Sequence, residues 1–253
     1  EGRLEKAIPK HSVFLLGSFF VFMAIVFMLK LGNLQVVRGE AFYKKSENNT
    51  LSKQPIFADR GLIYDRNDTL LAWNAWDKTD TNRFSSPTRA YIPESGFGLL
   101  LGYISAPAKD SSGNYWQDTF IGKDGVEKSY NERLTGQNGV RITETDVKGE
   151  IQSENIVSQP KAGDNLKLAI DARIEKEMYK AIASMATKVS FSGGAGVIMD
   201  IKTGELLALT SYPEYNPSVL SSGQDRKIIS EYFSDKRKVF LNRAVSGLYT
   251  PGS

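Results

Sequence analysis

In Asn242-Arg243-Ala244-Val245-Ser246-Gly247-Leu248-Tyr249-Thr250-Pro251-Gly252-Ser253, a largely apolar run meets Pro-Gly, and the next residue is a serine. Proline fixes one backbone angle and glycine frees the next, so the chain turns sharply there. A serine just past such a turn can start a helix with its hydroxyl near free backbone N–H groups, a good place for a nucleophile. The same tripeptide also serves as an ordinary helix cap. A serine hydroxyl is a poor nucleophile and needs a base. The sequence holds one histidine, His11, and no cysteine. That argues against a Ser-His-Asp triad, thiol chemistry and an ordinary zinc site. No metal or cofactor is implied. Arg60, Asp65 and Arg66 could be mistaken for an acid-base site, but arginines bridging carboxylates and carbonyls to fix a hairpin explain them better. Glu127 is the other tempting acid. It has no partner carboxylate at diagnostic spacing and is expected to be structural.

The elements that must position these groups begin with a membrane anchor. The sequence has 253 residues, room for one or two domains, and a net charge of +3 with no block of like charge that suggests a nucleic-acid groove. Residues 12–29 are uncharged and apolar all round. As a helix they span roughly 27 Å, close to the bilayer's hydrocarbon thickness. No small-x-small cleavage site ends the run, so it reads as a retained span rather than a signal peptide. Lysines and arginines lie on both sides, and charge alone does not orient it. Apolar residues at helical spacing continue through Leu34, Val36 and Val37 as a stalk.

Beyond the stalk the pattern is mixed. Asp65-Arg66-Asn67-Asp68 is turn chemistry between two apolar segments, which predicts a β-hairpin. Val126, Tyr130 and Leu134 fall on one face of a short helix that Gly136 would end. Pro160-Lys161-Ala162-Gly163-Asp164 reads as a domain boundary. After it, residues 165–170 alternate like a strand and Asp171 caps an amphipathic helix carrying Ile174, Met178, Ile182 and Met185. Two apolar runs around Lys202-Thr203-Gly204 predict a hairpin. Residues 225–238 read as an amphipathic surface helix.

Several of these segments, in order, resemble the class B penicillin-binding proteins, the membrane-anchored D,D-transpeptidases that cross-link peptidoglycan. The resemblance rests on Leu34-Gln35-Val36-Val37; on Arg60-Gly61 with Asp65-Arg66-Asn67; on Gly122, Gly125, Glu127, Tyr130, Leu134 and Gly136; on Tyr212-Pro213-x-Tyr215-Asn216-Pro217; and on Asn242-Arg243-Ala244 leading to Ser253. It implies an α+β protein: a cytoplasmic tail over residues 1–11, one transmembrane helix over 12–31, a pedestal domain over 32–163, and the N-terminal part of a serine β-lactamase-like transpeptidase domain over 164–253. The pedestal is compact, because the connection between the hairpin and the segment ending at Gly102-Tyr103-Ile104 is short. Arg60, Gly61, Asp65, Arg66, Gly125, Glu127 and Tyr130 would be structural motif residues, as would Asn242 and Arg243 before the serine.

The family's chemistry implies that Ser253 is the nucleophile and that a lysine three residues on is its base. The serine would attack the penultimate D-alanyl carbonyl of a stem peptide, release D-alanine and pass the acyl group to a neighbouring strand. β-Lactams would trap it. Lys202-Thr203-Gly204, Ser153-Glu154-Asn155 and Ser46-Glu47-Asn48 spell the family's later motifs but lie upstream of the serine and are rejected. The cell-wall setting implies a single-pass protein of the bacterial inner membrane, most of it extracytoplasmic, with a SEDS-type glycosyltransferase as partner. The Gly122-to-Tyr130 segment and the stalk lean to the elongation, cell-shape type. Residues 1–253 contain no such lysine, so this stretch alone is expected not to be acylated by penicillin. The competing reading is a non-catalytic membrane scaffold that binds and activates the polymerase.

Overall fold

The computed structural model describes residues 10–40, 51–76, 86–145 and 151–248. Ser253 and the turn before it lie outside the described residues, as do Ser46-Glu47-Asn48 and the end of the stalk at Ala41-Phe42-Tyr43. The chain divides into two compact units, residues 1–53 with 142–155, and residues 54–141 with 156–253.

The first unit is led by helix α1, Lys10–Gly32. Among its described side chains Phe14, Leu15, Phe20, Phe22, Met28 and Leu29 are all exposed, so none of the described residues covers this apolar surface. Val13–Val37, 25 residues, is long and apolar enough to cross a membrane. The helical path continues outward as expected, but the last turn, Asn33–Val37, widens to π geometry, with the Arg38 N–H donating to the Asn33 carbonyl at 3.0 Å. Strands β1 (Leu51–Ile56), β9 (Gly139–Thr145) and β10 (Ile151–Ser158) form a sheet in the order β1-β9-β10.

The second unit opens with the expected hairpin, β2 (Ile63–Tyr64) and β3 (Leu70–Ala75). Its turn is built by Asp65, whose Oδ1 accepts the N–H groups of Asn67 at 2.8 Å and Thr69 at 2.7 Å. β3 pairs antiparallel with β4 (Thr88–Tyr91), and β2 pairs in parallel with β11 (Leu166–Lys167), giving the order β11-β2-β3-β4. Its core joins Ile63, Leu71, Ala72 and Tyr91 with Phe97, Leu101, Leu134 and Ala172. Burying such aliphatic and aromatic side chains contributes about 1.5–3 kcal/mol each.

Two short pairs, β5 (Ile104–Ser105) with β8 (Ile121–Gly122) and β6 (Ala108–Lys109) with β7 (Tyr115–Gln117), flank this sheet in sequence. The strand at Ile104 is preceded by one helical turn, α2 (Gly98–Leu101). The helix expected through Val126, Tyr130 and Leu134 is two, α3 (Gly125–Ser129) and α4 (Asn131–Leu134), broken at Tyr130. Asn131 explains the break. Its Oδ1 accepts from the Gly122 N–H at 2.8 Å and from Arg60 at 3.0 Å, which fixes that residue from outside the helix. Leu134 is fully buried and Tyr130 is 41% exposed, so the three do not share one covered face.

The remainder is a helix on a hairpin. Helix α5 (Ala172–Val189) starts at Asp171, whose side chain accepts the Arg173 N–H, as the sequence predicts. It packs on β12 (Gly194–Met199) and β13 (Leu206–Tyr212), which pair antiparallel from Gly194–Tyr212 to Met199–Leu206 with a register shift between Ile198 and Met199. Lys202-Thr203-Gly204 sits in the exposed turn between them, where Asp200 Oδ1 accepts the Lys202 N–H at 2.8 Å. Helices α6 (Pro217–Ser222), α7 (Arg226–Ser234, capped by Asp225) and α8 (Arg243–Ser246) follow.

Candidate active site

The lead-in to Ser253 is fixed from β13. Ser211 Oγ accepts the Arg243 N–H at 3.0 Å and donates to the Leu241 carbonyl at 3.2 Å, clasping the segment that enters α8. Asn242 caps that helix, its Oδ1 accepting the Ala244 N–H at 3.1 Å, while the Ser246 N–H reaches the Asn242 carbonyl at 2.7 Å. The Arg243 guanidinium donates to the carbonyls of Arg237, Lys238 and Leu241. It also fills the space beside Gly193, where an added Cβ would lie 2.3 Å from its Nε. Asn242 and Arg243 therefore tie the start of α8 to β13 and to the loop at residues 237–241.

Two of the other motif residues, Arg60 and Glu127, form a buried ion network with Arg89. Glu127 is fully buried and holds two arginines, Arg60 Nε at 2.6 Å on one oxygen and Arg89 Nε at 2.8 Å on the other. Arg60 also donates to Thr135 Oγ1 at 2.6 Å, Asn131 Oδ1 at 3.0 Å and the carbonyls of Glu127 and Phe120. Arg89 reaches the Gly61 carbonyl at 2.9 Å. Burial lowers the Arg60 pKa and the Glu127 charge opposes that fall. One carboxylate faces two guanidinium groups, and the hydrogen bonds to Thr135, Asn131 and the carbonyls of Phe120, Glu127 and Gly61 take up the remaining donors and help the network to be tolerated inside the protein. Nothing local in the sequence singles out Arg89, one of three basic residues, with Lys78 and Arg83, in a polar stretch.

Gly61 and Gly125 are where backbone meets backbone. A Cβ on Gly61 would lie 1.9 Å from the Asp164 carbonyl oxygen. Gly125 has φ +55°, the left-handed region, and faces the Leu100 carbonyl. Asp65 is away from the network. Burial pushes its carboxyl up, but the N–H groups of Ala172, Thr69 and Asn67 outweigh this and hold it below the usual range. Arg66 is on the surface, 3.6 Å from Glu205. Arg60, Asp65 and Arg66 thus do not form one site.

Comparison with known proteins fits this arrangement. Residues 82–168 match the penicillin-binding protein dimerisation domain and residues 194–253 the penicillin-binding protein transpeptidase domain. The chain belongs to the penicillin-binding protein family. It is similar to the peptidoglycan D,D-transpeptidase MrdA of Acinetobacter baumannii, 25% identical over 321 residues covering 98% of this chain and 47% of that protein. MrdA of Escherichia coli K12 is 26% identical over 304 residues, covering 90% and 47%. Peptidoglycan D,D-transpeptidase FtsI of the same strain is 32% identical over 132 residues, covering 52% of this chain and 20% of its own. The chain thus spans about half the length of the MrdA proteins it matches. In fold it resembles a chain of a peptidoglycan synthase complex, with TM-score 0.58, 23% identity, and 93% of this chain and 52% of the other covered. It also resembles a chain of the Helicobacter pylori complex between penicillin-binding protein PBP2 and MreC, with TM-score 0.55, 22% identity, and 76% and 49% covered.

Proposed function

We propose that this chain is the anchor, the pedestal (residues 32–163) and the first part of the catalytic domain (residues 164–253) of a peptidoglycan D,D-transpeptidase of the elongation type. Ser253 is its nucleophile. The observation that carries this reading is the order within residues 194–253: the hairpin, the capped Asn242-Arg243-Ala244 turn, then Pro-Gly-Ser, all inside the transpeptidase match. Ser253 attacks the D-alanyl carbonyl of a stem peptide. The base is the lysine that the family carries one helical turn further on, kept neutral by its surroundings. Backbone N–H groups receive the oxyanion. Glu127, Arg60, Arg89, Gly61 and Gly125 do no chemistry; they hold the pedestal rigid beneath the catalytic domain.

The protein sits in the bacterial inner membrane through α1, with a SEDS-type glycosyltransferase as partner. Support for that partner is the span-length helix and the fold shared with a peptidoglycan synthase complex. The test is labelling with a fluorescent penicillin of the polypeptide extended through the rest of the transpeptidase domain. The wild type is labelled and Ser253→Ala is not; persistent labelling of the variant overturns the assignment. Residues 1–253 alone stay unlabelled.

A further inference from the structure

Glu175, between the stretches matched to the two domains, and Glu214, inside the transpeptidase match, are buried acids that the proposed chemistry does not use. Glu175, on α5, is fully buried. Its Oε2 accepts the Leu209 N–H of β13 at 2.7 Å, and among the described residues its buried Oε1 has no hydrogen-bond partner. Glu214, just past β13, clasps the turn before α2: one oxygen accepts the Gly96 N–H at 2.6 Å and the other the Gly98 N–H at 2.7 Å. Thr210 adds a third tie, its hydroxyl donating to the Gly96 carbonyl at 3.3 Å. The fit allows no slack. A Cβ on Gly98 would lie 2.2 Å from the Tyr215 carbonyl oxygen, and one on Gly96 would meet Tyr179 at 3.0 Å.

The charges around the pair do not neutralise it. Among the described residues neither carboxyl has a salt-bridge partner. Lys176 of α5 is taken by Glu94 at 3.2 Å and Arg237 by Asp235 at 2.7 Å. Tyr179 of α5 interacts with Glu214, Arg237 acts on Tyr179 and on Tyr212 of β13, whose ring is 5.8 Å from that of Tyr179, and Glu94, Tyr215 and Tyr232 line the same cavity as Glu214. Burial, with the Glu214 charge adding to it at Glu175, pushes both carboxyls up to about 7. Glu214 faces the N–H groups of Gly96, Gly98 and Leu99, so it keeps the negative charge. Glu175, with only the Leu209 N–H and the Thr210 hydroxyl beside it, takes the proton.

We infer that Glu175 and Glu214 form a proton-dependent latch tying residues 93–98 to the β12–β13 hairpin, closed while Glu175 is protonated and loosened when it ionises. Ionisation places an unpaired buried charge beside an existing one, and the clasp is the contact that gives way. Glu175 binds its proton more tightly in the folded chain than a free glutamate, which titrates at 4.5. The stability it contributes is therefore full below that value and is lost as pH rises through about 7.

The test is hydrogen exchange by mass spectrometry on the full chain in detergent, corrected for intrinsic rates. It follows peptides covering residues 93–101 and 206–212, with 120–135 as control. Wild-type protection in the first two falls about tenfold between about pH 5.5 and about pH 8 while the control stays level, and Glu175→Gln, which keeps the Leu209 acceptor, removes the fall. A flat wild-type profile, an equal fall in the control, or an unchanged fall in Glu175→Gln overturns the latch. If Glu175→Gln does not fold, Glu214→Gln decides. Removing the neighbouring charge lets Glu175 ionise more easily, so the midpoint of the fall moves to lower pH; an unmoved or raised midpoint overturns the latch.

Discussion

Arg60 donates to Glu127 at 2.6 Å across 67 residues of sequence, and the second oxygen of that carboxylate is taken by Arg89 at 2.8 Å. One acid thus holds the hairpin strand region and β4 to α3. Replacing it leaves two guanidinium groups buried against each other. Glu127→Gln is expected to cost about 3–5 kcal/mol of stability. Urea unfolding of the detergent-solubilised chain measures it, and a loss near zero would show that solvent reaches the arginines.

Gly61→Ala places a methyl group 1.9 Å from the Asp164 carbonyl oxygen. Backbone must move on both sides, because the Gly61 N–H is also bonded to the Leu134 carbonyl at 2.8 Å. The expected cost is about 1–3 kcal/mol. It should appear as lost exchange protection around Leu134 as well as in the hairpin.

Asp65 gives a pH dependence of the opposite sign to the latch. Its carboxyl titrates lower folded than unfolded. The stability it contributes is present above the ordinary carboxylate range and lost as pH falls through its folded value. Asp65→Asn should weaken the chain at neutral pH by about 1–3 kcal/mol and flatten the acid limb of an unfolding curve recorded against pH.

Ser211→Ala removes both bonds that clasp residues 241–243 to β13. In the polypeptide carrying the whole transpeptidase domain, the expected result is a fivefold to tenfold slower acylation by penicillin, about 1 kcal/mol. Binding of the unreacted drug should change less. An unaltered acylation rate would mean that Ser253 is positioned from elsewhere.

The sequence made legible what is local. Asp171 at a helix start, the turn chemistry around Asp65 and the glycine turn at Gly204 each announce an element through residues next to it, and each element is present. What was not legible depends on distant partners. Arg89 has no meaning until Glu127 is beside it, and the break at Tyr130 comes from Asn131 bonding to Arg60 and Gly122. Glu175 shows the same limit. In an amphipathic helix a glutamate reads as a solvated residue, yet it faces β13 with no exposure.

The parallel pairing of β2 with β11 also has a consequence in time. Leu62 N–H bonds to Asn165 Oδ1 across 103 residues, so the sheet cannot be completed by the hairpin that begins it. At synthesis rates of roughly 5–20 residues per second, β2 waits about 5–20 seconds for its neighbour. Throughout that interval it is an open edge, a strand that chaperones or a second nascent chain can meet before its own partner arrives.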